Sequence, residues 1–278
     1  MSMGTNIVID VARRIDKLNN DERQYKGYKR GNSWMHCHNA FVSYSGRNLS
    51  DSDFDYLALQ LAFYLASWGM YRGSSFLLEL DYKIHVPAVE IMMEERYRDL
   101  FKMENPFVDP EIAKKYKILM FGEEGVYNSI EKHYLDAHKS IANQRRKDDE
   151  NQAEYNPAQE SDTLITKILL GVYGCIPAYD RFFKRGLSMF GRQQWLKSDG
   201  NALFKKPTSL GELLQEGALR QELEEYYNAH PEYTFMKVVD MYFFSLGAYF
   251  EEGYDKLSSD EKKAKTEVFK EKIGKEYR

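Results

Sequence analysis

Cysteine is nearly missing from this chain: Cys37 and Cys175 are the two in 278 residues. They stand far apart and outside any CxxC spacing, so no disulfide framework organises the fold, and a reducing cytoplasm is the expected compartment. A secretory signal is not expected either, because Asp10 and Asp16 interrupt the apolar positions of residues 1–17 and no small-residue cleavage site follows. Long hydrophobic runs are lacking as well. The most apolar stretch, Tyr56 to Met70, contains Gln60 and Ser67 and falls short of the roughly 20 residues that cross a bilayer. It reads as a core helix, and no membrane partner is expected. Neither GxxxxGKS/T nor GxGxxG occurs, which argues against P-loop nucleotide hydrolysis. No fixed-period repeat or low-complexity tract is found.

What is present is the composition of a folded chain: 43% hydrophobic residues, 14% aromatic residues and a net charge of -4. The periodicity is helical. Leu57, Leu61 and Leu65 repeat at i, i+4, i+8 behind Ser50, an N-cap residue, and Asp51, Asp53 and Asp55 suit the positive end of that helix. Residues 74–85 fit neither a strand nor a helix period. Pro87 suits the first turn of a helix running through Val89, Met92, Tyr97 and Phe101, and Asp109 with Pro110 repeats that device. Another helix is expected from Glu123 to Ile141, then an exposed polar linker, then apolar Leu164 to Cys175 before a break at Pro177 and a short helix to Phe190. Helices from Thr208 or Ser209 to Tyr227 and from Tyr233 to Glu252, and a last one opened by the capping box of Ser258 with Glu261, complete the chain. The expected fold is all-α with little or no β structure, in two lobes, 1–147 and 160–278, joined by a linker at 148–159.

Charge is unevenly spread. Residues 180–206 hold seven cations against two acids, a local +5 that leaves -9 on the remainder. Phe182, Phe183, Phe190, Trp195 and Phe204 interleave with these cations, a composition suited to neutralising phosphates and stacking bases. The same spacing also describes a core with a cationic rim. Elsewhere, His36-Cys37-His38 gathers three soft ligands, with both histidines on one side if the segment is extended. No other histidine or cysteine spacing completes a metal site, so no metal or cofactor is assigned.

The segment Asp162-Thr-Leu-Ile-Thr-Lys-Ile-Leu-Leu-Gly-Val-Tyr-Gly-Cys-Ile-Pro-Ala-Tyr-Asp180 places a helix, a Gly and Pro break and an acid before another helix. This pattern resembles the helix-hairpin-helix DNA glycosylases, in which a catalytic aspartate follows such a turn. The stretch Met236 to Gly247 is similar to a closing helix of bacterial relatives of that kind. The resemblance implies that Asp180 stabilises positive charge developing on the sugar as a flipped base departs. It further implies that Arg181, Lys184, Arg185, Arg192 and Trp195 hold the nucleic acid. Two parts of the family pattern are missing. Residues 157–161 contain no glycine hairpin, and Asp162 or Thr163 stands where a Schiff-base lysine would, so no lyase activity is carried over.

Two functions follow as expectations. The first is a nucleic-acid-directed protein, a base-excising hydrolase of the glycosylase kind with DNA as partner. The second is a non-enzymatic helical interaction or oligomerisation module, whose 21 tyrosines serve a core and a surface for a protein partner or second copy. Local chemistry gives Asp180 a plain role too, as the cap of the following helix. Asp240, on an apolar helix, calls for a cationic partner, with Arg181, Arg185 and Arg220 as the candidates.

Overall fold

In the computed structural model, residues 7–20, 31–73, 75–146, 157, 160–196, 199–205 and 207–277 are described. Among them there is no strand, and the fold is all-α. The described residues form thirteen α-helices in order: α1 (Val11–Asn19), α2 (Gly31–Tyr44), α3 (Asp51–Ser67), α4 (Val86–Met92), α5 (Pro110–Phe121), α6 (Val126–Arg146), α7 (Asp162–Val172), α8 (Arg181–Met189), α9 (Asn201–Phe204), α10 (Leu210–Leu213), α11 (Ala218–Ala229), α12 (Phe235–Glu251) and α13 (Ser259–Glu276). Most starts are set by local capping. Asp53 accepts from the Ser50 backbone N–H at 2.8 Å, Asp109 accepts from Glu111 N at 2.7 Å, and Ser258 and Glu261 form the reciprocal box of α13.

Two expected helices are replaced by shorter pieces, the first of them the one through Val89, Met92, Tyr97 and Phe101, which is α4 followed by the 3-10 helix Glu95–Lys102. Residues 74–85, which match no period, contain the 3-10 helices Phe76–Glu79 and Tyr82–His85. The single helix expected over 208–227 is split into α10 and α11 by Gly217, whose φ of 101° lies in the left-handed range that side chains disfavour. The expected linker lies outside the described residues except for Pro157.

The chain forms two compact units, each built from separated segments: a first unit of Met1–Gly27, Glu104–Ala113 and Pro177–Arg278, and a second of Tyr28–Met103 and Lys114–Ile176. The division cuts across the consecutive lobes expected from composition, since α7 belongs with α2, α3, α4, α6 and most of α5. In the first unit, α8 crosses α12 at backbone contact. A Cβ on Gly186 would overlap the Phe243 carbonyl, and one on Gly247 would overlap that of Phe182. Helix α1 lies along α12, where Tyr242 donates to Ile9 O at 3.0 Å and Ser245 to Arg14 O at 2.7 Å.

In the second unit the centre is α7, buried along nearly its whole surface. Its C-terminal end meets side chains rather than water. Trp34 Nε1 donates to Leu170 O at 2.8 Å, His38 Nδ1 to Val172 O at 2.9 Å, and Tyr116 to Cys175 O at 2.9 Å. Carbonyls left over at a helix end are thereby satisfied inside the core. No helix among the described residues is long and apolar enough to cross a membrane.

Candidate functional site around Asp180

Pro177, Ala178, Tyr179 and Asp180 form the turn into α8, and that turn is held from beneath by α12. Asp240 accepts from Ala178 N at 3.0 Å through one carboxylate oxygen and from Lys237 Nζ at 2.7 Å through the other. The partner is thus Lys237, three residues earlier on the same helix, rather than Arg181, Arg185 or Arg220. Both side chains are buried, and an ion pair there is tolerated because every charged atom has a hydrogen-bonding partner.

Asp180 is the N-cap of α8, with Oδ1 accepting from Phe183 N at 3.0 Å. Its carboxylate therefore sits at the positive end of a helix, where negative charge is favoured. One turn on, Lys184 shares its side of α8, and Lys184 N donates to Asp180 O at 2.9 Å. The Lys184 ammonium lies 4.5 Å from the centroid of Trp195, a contact of cation–π geometry. Trp195 is 63% exposed.

The arginines are engaged differently. Arg181 Nη2 and Arg185 Nε reach the two oxygens of Glu251 at 2.6 and 2.9 Å, and the Glu251 side chain is only 7% exposed. Arg185 also lies over the rings of Phe250 and Tyr254. Arg192 pairs with Glu212 at 3.1 Å and donates to Pro207 O. Of the aromatics in this segment, Phe183 is buried against Tyr179 and Phe243, Phe182 packs on Phe244, and Phe190 packs on Phe243 and Tyr277. Trp195 alone among these five is exposed. The structure thus puts Lys184 one turn from Asp180 on α8 and Trp195 against Lys184, and commits Arg181, Arg185 and Arg192 to carboxylates. Glu251, which organises two of the arginines, carries no sequence signal beyond being an acid at the end of an apolar helix.

Other candidate chemistry is dispersed. His36-Cys37-His38 lies on helix α2 and not on an extended segment, so His36 is exposed while Cys37 and His38 are buried. Burial pushes both the Cys37 and the Cys175 thiols up, which keeps them from acting as thiolate nucleophiles. No group of three or more His, Cys, Asp or Glu side chains able to hold a metal occurs among the described residues.

In the second unit, His85 is enclosed between two phenols, with Tyr71 at Nε2 and Tyr134 at Nδ1, each at 2.6 Å. One ring nitrogen donates and the other accepts. Burial, with His133 adding, lowers the His85 pKa to about 3, so the ring is neutral at ordinary pH. In the same unit, Tyr127 of α6 donates to Asp162 of α7 at 3.0 Å, and His138 of α6 contacts Glu160, just before α7, at 2.9 Å.

No protein family, no curated protein and no solved structure matches this chain.

Proposed function

We propose that the protein is nucleic-acid-directed and that the face of α8 bearing Asp180 and Lys184, with Trp195 lying against Lys184, is its contact surface. The observation that carries this reading is the exposed indole of Trp195, which follows α8, with the ammonium of Lys184 at its face, Lys184 standing on the helix that Asp180 caps. An exposed indole stacks an unpaired base, and a neighbouring lysine neutralises a phosphate. Arg181, whose side chain is 69% exposed despite its pairing with Glu251, adds positive potential to the same helix end. Arg185 and Arg192 contribute less, because their charge is met by protein carboxylates.

The finer reading is base excision. Asp180 would then act as the charge that stabilises an electron-poor sugar as the base leaves, without forming a bond to it. Its carboxylate caps the first turn of α8, and Asp240 and Lys237 keep the turn that carries it in place.

The test is fluorescence anisotropy with single- and double-stranded oligonucleotides at two salt concentrations. Wild-type binding is expected to weaken steeply with salt. Trp195→Ala is expected to weaken single-strand binding by about 1–3 kcal/mol, and Lys184→Ala to reduce the salt slope by about one phosphate contact. Absence of binding at low salt refutes the nucleic-acid reading. If binding holds, abasic-site formation that is lost in Asp180→Asn while affinity is kept supports excision.

A further inference from the structure

Helix α3 is apolar around most of its circumference, and one of its faces is open to solvent. No charged side chain occurs from Tyr56 to Tyr71. Leu57, Leu61 and Leu65 pack inward, whereas Tyr56, Leu59 and Phe63 are 39, 48 and 61% exposed, and Ala66 is exposed beside them. At about 100° per residue these four positions form one stripe, about 15 Å long. A solvated helix face ordinarily carries its charges along its length. This one carries them at its ends: Asp51, Asp53 and Asp55 at the start, and Arg72, whose guanidinium folds against Gly69, just past the finish.

We infer that α3 is a self-association surface, on which a second copy of this chain docks antiparallel across a two-fold axis at the level of Leu61. That register sets Tyr56 against the partner's Ala66 and Leu59 against the partner's Phe63, so that the largest ring meets the smallest side chain. It also brings Arg72 of each copy to Asp51 of the other and opposes the two helix dipoles favourably. A parallel arrangement would set acid on acid. The acidic start disfavours nucleic acid or an anionic membrane as the occupant, and an isologous pair is the partner that matches a helix acidic at one end and basic at the other. Arg47, held over the ring of Tyr44 beside Tyr56, lies at the acidic end and leaves it net negative. The inference stands apart from the nucleic-acid reading, since its residues belong to the other compact unit.

Sedimentation velocity over a concentration series tests it. The weight-average mass is expected to rise from 32.7 kDa towards twice that value. Phe63→Glu, a change at an exposed position whose fold is checked by circular dichroism, is expected to remain monomeric throughout. Arg72→Asp is expected to weaken the dimer about tenfold, and adding Asp51→Arg to restore it, as a charge reversal across the two-fold axis requires. A monomer at every concentration, or a dimer indifferent to Phe63→Glu, overturns the surface. Failure of the double reversal to restore association overturns the antiparallel register.

Discussion

The two units bury polar groups by different means. In the first, buried charge meets opposite charge: Lys237 with Asp240, and Arg181 and Arg185 with Glu251. Arg14, also buried, lies over Tyr249 and donates to Ser245. In the second unit, several buried ionisable groups instead meet aromatic side chains. His85 lies between Tyr71 and Tyr134, Asp162 accepts from Tyr127, and the Lys167 ammonium lies 5.4 Å from the ring of Trp68. The difference has a physical consequence. An opposed pair loses its compensation when either member is removed, whereas the neutral chain Tyr71–His85–Tyr134 fails mainly when a proton is forced onto it.

The largest effect should come from breaking the charge pair beneath the Asp180 turn. Asp240→Leu leaves the Lys237 ammonium buried without its carboxylate and frees Ala178 N–H, at an expected cost of about 3–5 kcal/mol. The double variant Lys237→Met/Asp240→Leu should recover most of that loss, because an apolar pair of similar volume has no charge to desolvate. Denaturant midpoints of the two variants decide the matter. If the double is as unstable as the single, the bond to Ala178, and not the ion pair, holds the turn.

The neutral network of the second unit should show itself through pH. Folded His85 has a pKa lowered to about 3, below the value near 6.5 of an unfolded imidazole, so the native state binds fewer protons. Its contribution to stability is complete above about pH 6.5 and is lost as pH falls towards 3, at up to about 1.4 kcal/mol per pH unit. His38, also lowered by burial, acts in the same direction. Unfolding free energies at pH 7, 5.5 and 4 should therefore fall more steeply for wild type than for His85→Phe. Parallel curves would place the acid sensitivity elsewhere.

Much of this was legible from local sequence, and the reason is range. Caps at Ser50, Asp109 and Ser258 involve residues three apart or fewer, and the Gly and Pro break between α7 and α8 is written in the residues that make it. The Lys237–Asp240 pair was within reach of the same logic, since i and i+3 share a helix face. It was hidden by the expectation that an arginine would serve. Glu251, Tyr71 and Tyr134 find their partners across gaps of 14 to 70 residues, where hydrophobic periodicity says nothing about which polar groups will meet. The conformation of His36-Cys37-His38 stayed open for a different reason: three residues are too few to tell an extended segment from a helix, and the turns of α2 on either side decide it.

The smallest effect distinguishes the two arginines that share Glu251. Arg181 is 69% exposed and Arg185 36%, so water screens the first pair more than the second. Arg181→Ala should cost less than about 1 kcal/mol, as exposed pairs do. Arg185→Ala should cost somewhat more, because its stem and guanidinium also cover Phe250 and Tyr254. Neither is expected to match Asp240→Leu, since each leaves Glu251 with one cation. Equal losses would mean that Glu251 holds the pair as a single unit and that exposure does not grade the contribution. Because Arg181→Ala barely perturbs the fold on this expectation, any change it makes in oligonucleotide affinity would report on the surface at Asp180 and not on stability.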